Sequence, residues 1–238
     1  ESKLLALRAQ GCQKIVCIPL YPQYAARATA SALDAVFSTL QQMRNQPAIR
    51  TVQSFHDHPL YIKALAARVN QYWQTNGRPD KIIFSFHGVP QASLDKGDPY
   101  HCYCHKTARL LADALGLGEH NYRIAFQSRF GKAAWLKPYL SPMLKELGQA
   151  KLKTLDVFCP GFVADCLETL EEIAQEGAED FTHAGGGKLR YIPALNDSHE
   201  WIHALTHIVQ DNLQGWLQAD DPEARALSQN LACKMQSL

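Results

Sequence analysis

No run of apolar residues in this 238-residue chain is long enough to cross a bilayer; the longest are short and broken by proline, glycine or charge. No transmembrane span is indicated, and no signal-peptide pattern marks the chain for export, which leaves the cytoplasm as the default location. An excess of either charge is also missing. The net charge is +1 with acids and bases interleaved, so neither a basic face for nucleic acid nor a polybasic run for anionic lipid is present. A disulfide framework is not expected: the seven cysteines, an odd number, are scattered in a chain with no secretory marker, which argues for reduced thiols. Internal repeats and low-complexity tracts are absent. What is present, 46% hydrophobic and 20% charged residues, suits a soluble globular protein of two modest domains or one large one.

Taken in order, the chain alternates strand and helix patterns. Ser2 to Gln10, ending at Gly11, reads as a helix tail with its C-cap, as though the chain starts within a fold. Lys14 to Leu20 is a β-rich run, Tyr21-Pro22-Gln23-Tyr24 a loop, and Ala25 to Arg44 a helix with Leu33, Val36, Phe37 and Leu40 on one stripe. Strands are expected at Ile49 to Phe55, Lys81 to Phe86, Tyr122 to Ser128, Thr154 to Cys159 and Leu189 to Leu195. Helices are expected at Leu60 to Trp73, Thr107 to Leu115, Pro138 to Leu147 and Glu200 to Leu217, the last with Trp201, Leu205, Ile208, Asn212 and Trp216 along one side. Asn76-Gly77-Arg78-Pro79 is a candidate hinge, and from Asp220 the tail is polar and expected to be loosely attached. This order predicts an α/β protein with parallel sheets flanked by helices. Residues 1–77 with 198–238 and residues 78–197 are the expected domains.

In parallel sheets, ligands sit beyond the carboxyl ends of the strands. That selects Tyr21 and Tyr24, His87, Gln127 to Arg129, and Phe162 to Glu168. From Cys159 to Ile173 an apolar run breaks at Pro160-Gly161 and a helical pattern follows. Leu167, Leu170 and Ile173 are its apolar side, and Asp165, Glu168 and Glu172 fall on the opposite stripe. Spacing alone leaves two readings: a solvated acidic face near a helix N-terminus, or a face that holds cations. His87 directly follows a buried strand and is freed by Gly88, which suits either a base or a structural histidine. Together, His87 and Glu168 facing one cleft would suit proton transfer or transient binding of a divalent ion. Tyr21, Tyr24, Phe86, Phe130, Trp135 and Phe162 frame the same edge, and an aromatic-walled cleft fits a flat apolar ligand.

Three other patterns carry less. His101-Cys102-Tyr103-Cys104-His105 lacks the second cysteine pair of a structural zinc site. His203 and His207 have metal-face spacing without a third ligand and read as surface. Gly185-Gly186-Gly187-Lys188 has helix, glycines, strand, the reverse of a phosphate loop, so no nucleotide is expected.

Four segments in order closely resemble the ferrochelatase family, enzymes that insert ferrous iron into a porphyrin. They are Pro19-Leu20-Tyr21-Pro22-Gln23-Tyr24; Ser85-Phe86-His87-Gly88-Val89-Pro90 with Gly97-Asp98-Pro99-Tyr100; Phe126-Gln127-Ser128-Arg129-Phe130-Gly131 with Trp135-Leu136-Lys137-Pro138; and Cys159 to Ile173. The resemblance implies two Rossmann-like domains of the class II chelatase type. It implies catalytic roles for His87 and Glu168, metal contacts from His87, Glu168, Asp165 and Glu172, and porphyrin contacts from Tyr24, Trp135 and Phe162. Protoporphyrin IX and Fe2+ would be substrates, with no permanent cofactor, and peripheral membrane association and oligomeric state are left open. A cobalt or nickel chelatase acting on another tetrapyrrole, or a non-catalytic haem- or metal-binding protein, are the alternatives.

The chain departs from the family pattern in three places. Cys166 stands where animal members have a histidine two residues before the glutamate. Ala25-Ala26-Arg27 and a tail with only Cys233 do not match the animal iron–sulfur ligands, so no cluster of that type is expected, and Cys102 and Cys104 are left unassigned. Family members carry a further N-terminal βα portion, so the first domain is expected to be incomplete and the chain alone weakly active or inactive.

Overall fold

A strand sends alternate side chains to opposite faces, and the most buried strand of this molecule uses both. In Lys81–His87 the five residues from Ile82 to Phe86 are all buried. Ile82, Phe84 and Phe86 enter one core and Ile83 enters another, so helices must cover both faces of the sheet. The computed structural model describes residues 1–217 and the single position Ala226.

The elements are α1 (Ser2–Ala9), β1 (Lys14–Cys17), α2 (Ser31–Gln42), β2 (Ala48–Thr51), α3 (Pro59–Asn76), β3 (Lys81–His87), α4 (Gln91–Asp95), α5 (Tyr100–Leu115) and β4 (Tyr122–Gln127). They continue with α6 (Leu140–Gln149), β5 (Thr154–Phe158), α7 (Leu167–Leu170), α8 (Ala178–His183), β6 (Lys188–Ile192) and α9 (His199–Leu213). Two π-helical segments, Ala26–Ala30 and Glu172–Gly177, run into α2 and α8.

β1 and β2 pair in parallel as a two-stranded sheet. The other four strands form a parallel sheet in the order β4-β3-β5-β6. The chain leaves β3 for β4 on one side and then crosses back to β5 on the other. This reversal places a topological switch point, and therefore a crevice, between the carboxyl ends of β3 and β5. On one face, α3 and α5 pack on Phe84, Phe86, Phe126 and Phe158; on the other, α6 and Phe181 of α8 pack on Ile83, Leu155 and Val157. α9 closes over α3, with Trp201 stacked 5.8 Å from Phe55 and edge-on to Tyr61 at 5.7 Å.

One buried ion pair ties these layers. Asp156 of β5 is fully buried and accepts from Arg190 Nε at 2.6 Å, Arg190 Nη2 at 3.0 Å and Trp73 Nε1 at 2.7 Å. Arg190 also donates to the carbonyls of Asn76 and Gly77, where Gly77 takes φ of +71° and stops α3.

Several boundaries differ from expectation for local reasons. The strand expected to reach Leu20 ends at Cys17, since Pro19 has no N–H for a ladder. The strand expected from Ile49 to Phe55 covers Ala48–Thr51, and Phe55 N–H turns away to the Pro22 carbonyl. The helix expected from Ala25 is π-helical until Ser31, and Phe37 on its expected apolar stripe is exposed. α5 begins at Tyr100, seven residues before expectation, where Asp98 accepts from the Tyr100 N–H at 3.0 Å and turns the chain into the helix. The helix expected to reach Leu217 ends at Leu213. The polar tail from Asp220 and Cys233 lie outside the described residues.

The largest correction concerns the acidic helix. It is α7, a π-helical segment and α8 in series, and Leu167 and Leu170 are exposed rather than packed. The buried side is Thr169, Ile173, Gly177 and Phe181, each four residues apart. On a regular α-helix a four-residue repeat would wind about 120° over those twelve residues, at about 100° per residue. The wide π turn, marked by Glu176 N–H donating to Glu171 O at 3.0 Å, removes that drift.

Candidate functional site

His87 ends β3, and its surroundings leave it little freedom. Gly88 N–H donates to Gln127 O at 2.8 Å, and a Cβ on Gly88 would lie 2.7 Å from that oxygen. Only glycine permits this approach, which holds the strand end and with it the imidazole. Tyr100 O–H donates to the His87 carbonyl at 2.9 Å, and His87 Nδ1 lies 2.7 Å from Gly88 O. A carbonyl only accepts, so Nδ1 carries the proton in the neutral ring and Nε2 is the basic nitrogen.

The loop after β5 is pinned from both sides. The Pro160 carbonyl accepts from Tyr61 O–H at 2.7 Å and Gln23 Nε2 at 3.3 Å. Asp165 accepts from Tyr191 O–H at 2.6 Å, Asn196 Nδ2 at 2.8 Å, Thr169 Oγ1 at 3.2 Å and Ala194 N–H at 3.2 Å. Burial pushes its carboxyl up, but these donors outweigh burial and hold it below the usual range. Cys166 caps α7, and its thiol beside Glu168 lowers the Glu168 carboxyl, aided by Glu168's own backbone, so Glu168 is ionised at neutral pH.

These loops enclose a cleft of about 760 Å3. His87, Glu168, Asp165, Trp135 and Phe162 all line it, with the His87 and Phe162 rings 6.5 Å apart. Tyr24 does not. Tyr21 takes the wall, and Tyr24 lines a neighbouring hollow of about 360 Å3 with Asp98 and Lys96. Glu172 lies in a third cavity, a trough of about 890 Å3, where it accepts from Ser128 N–H at 2.6 Å and Ser128 Oγ at 2.5 Å. Glu168 borders both cleft and trough. Among the described residues, no three histidine, cysteine or acidic side chains converge into a metal-binding group; the four expected metal contacts are divided between cleft and trough.

Two acids of this site, Glu176 and Asp180, are not among the residues the sequence singles out. Glu176 and Asp180 line the trough with Glu168 and Glu172, giving acids every four residues. Glu171 is exposed and lines the trough as well. Gln127, one of the strand-end residues expected at the cleft edge, is almost fully buried; it accepts from Ser85 Oγ at 2.7 Å and donates through Nε2 to Glu168 O at 2.6 Å, joining β3 and β4 to the start of α7.

The weaker patterns are placed too. Cys102 is exposed and Cys104 is buried on α5, while His101 and His105 bring their rings to 4.4 Å beside Phe126. His203 and His207 are 4.6 Å apart on α9, with His203 exposed. The glycines at 185–187 serve close packing: a Cβ on Gly186 would strike the Phe181 ring and one on Gly187 the Lys153 backbone.

The fold is shared with solved chelatases. SirB from Bacillus subtilis with Fe3+ matches 87% of this chain and 75% of its own, with a TM-score of 0.62 and 13% identity. The sirohydrochlorin chelatase SirB from Bacillus subtilis subspecies spizizenii in complex with cobalt matches 90% of this chain and 75% of its own, with a TM-score of 0.58 and 12% identity. At such identity the likeness is one of fold, the Rossmann-like chelatase fold. Sequence is more specific. A ferrochelatase from Chromobacterium violaceum is 56% identical over 228 residues, covering 95% of this chain and 63% of the relative. One from Nitrosomonas europaea is 58% identical over 214 residues, covering 90% and 59%. The chain thus spans about three fifths of the length of the curated relatives it matches. The family model for ferrochelatase matches residues 1–213, nearly everything described, including the cleft and both of its strand-end loops, and the chain belongs to the ferrochelatase family.

Proposed function

We propose that this protein inserts Fe2+ into protoporphyrin IX to form protohaem. The observation that carries the reading is the meeting of His87 and Glu168 on the walls of one cleft whose other walls include Tyr21, Trp135 and Phe162. A porphyrin is a flat apolar ring, and aromatic walls suit it. Insertion requires two pyrrole N–H protons to leave as the ion sheds water. The Nε2 of His87, left basic by the Nδ1 contact, is placed to accept a proton, and the ionised carboxylate of Glu168 to take the ion or the second proton. Iron and porphyrin are substrates in this scheme.

Glu172, Glu176 and Asp180 would raise the local cation concentration along the trough and pass an ion toward Glu168, which touches both cavities. Asp165, its oxygens engaged by four donors, fixes the loop carrying Phe162 and Cys166. The porphyrin contact assigned to Tyr24 by resemblance passes better to Tyr21. The test is anaerobic insertion of Fe2+ into protoporphyrin by the full-length protein, followed by absorbance. Replacing His87 by Ala or Glu168 by Gln should cut the rate by about 10²- to 10⁴-fold while porphyrin still binds. Preference for Co2+ or Ni2+ would move the assignment to another chelatase, and tetrapyrrole binding with no insertion would make the protein a carrier.

A further inference from the structure

The three cavities are joined in an ordered way. Trough and cleft share one lining residue, Glu168, and cleft and hollow share one, Arg27. Trough and hollow share none. The cleft therefore has an acidic junction and a basic junction. Among its lining residues Arg27 is the one lysine or arginine. Arg27 is exposed on the π-helical segment Ala26–Ala30 and makes no ion pair or hydrogen bond through its guanidinium among the described residues. Asp98, the one acid lining the hollow, is already used: it accepts from Ala26 N–H at 2.8 Å and Tyr100 N–H at 3.0 Å. Those bonds tie the segment bearing Arg27 to the start of α5. Lys96 supplies a second cation to the same hollow and is also without an ion pair among the described residues.

An unpaired guanidinium at the mouth of an apolar cleft matches a planar carboxylate in shape and charge. We propose that Arg27, with Lys96 behind it, binds a carboxylate on the edge of the tetrapyrrole and so sets which edge of the ring points away from Glu168. This assignment rests on the tetrapyrrole reading above. It makes Arg27 a specificity residue: a ring with charged acid side chains is favoured over the same ring made neutral.

The experiment titrates the full-length protein with a porphyrin dicarboxylate and with its uncharged bis-amide, following porphyrin fluorescence at low and high salt. At low salt Arg27→Ala should weaken binding of the dicarboxylate about tenfold and Arg27→Glu more, with Arg27→Lys near wild type. The loss should shrink at high salt, and the bis-amide should bind every variant within about twofold. Equal weakening of both probes, or no weakening of either, would overturn the role of Arg27. Failure of the wild type to bind either probe would overturn the tetrapyrrole reading and this one with it. Arg27 is exposed, so thermal unfolding of the variants should match wild type.

Discussion

Replacing Gln127 by Leu should uncouple the sheet from the start of α7, and the cost can be worked from its bonds. Leucine is similar in size, so the loss is chiefly polar. Ser85 Oγ loses its 2.7 Å acceptor in a fully buried position, which costs about 1–3 kcal/mol for an orphaned donor. The Glu168 carbonyl loses its 2.6 Å donor, but exposed Glu168 can turn to water, which limits that loss to about 1 kcal/mol. The total is about 2–4 kcal/mol, or a fall in Tm of roughly 4–16 °C for a chain of this size. Denaturant unfolding of Gln127→Leu, Ser85→Ala and the double variant provides the check. With Ser85 already alanine there is no buried hydroxyl left to orphan, so the leucine should cost at least about 1 kcal/mol less there. Strict additivity, with a coupling below about 0.5 kcal/mol, would refute the bond's importance. In the same variant, insertion should lose kcat more than KM, because Glu168 is misplaced while the walls of the cleft are intact.

Other outcomes follow from the same geometry. Arg190→Ala leaves the buried Asp156 charge with Trp73 alone and should cost about 3–5 kcal/mol by chemical denaturation, whereas replacing both partners by apolar residues should cost less. Asp165 has a folded carboxyl below its ordinary value of 3.8, so its contribution to stability is complete above that pH and fades as pH falls through the lowered value. Asp165→Asn should therefore flatten the acid limb of a stability–pH curve below about pH 4, and an unchanged limb would contradict the hydrogen-bond assignment. Glu176→Gln should raise the KM for the metal ion and leave porphyrin affinity alone, as read from initial rates at varied Fe2+; an effect on porphyrin alone would remove Glu176 from the cation path.

Much of this could be read in the sequence because strand ends carry their own punctuation. Lys81–His87 is a continuous buried run closed by His87-Gly88, and Cys159-Pro160-Gly161 closes the next strand, so the two halves of the crevice were legible before any coordinates. The α5 start was missed because its signal is one side chain, Asp98, outside the periodic region. The acidic helix was misread because hydrophobic periodicity assumes 3.6 residues per turn, and a π segment stretches the repeat to four. Leu167 and Leu170 satisfied the wrong period and are exposed; Thr169 and Gly177, neither strongly apolar, occupy the buried side. Tyr21 and Tyr24 were equivalent as letters in a loop. Which of them lines the cleft depends on how the chain turns into the π-helical segment at Ala26.

The central claim is that His87 and Glu168 act together on a metal ion and a porphyrin in one cleft. Its most direct test is the absorbance spectrum after anaerobic mixing of Fe2+ and protoporphyrin with the full-length protein and with its Glu168→Gln variant. A haem spectrum that develops catalytically with the wild type, and at least about a hundredfold more slowly with a variant that still binds porphyrin, is the expected result. Equal rates for the two proteins would contradict it.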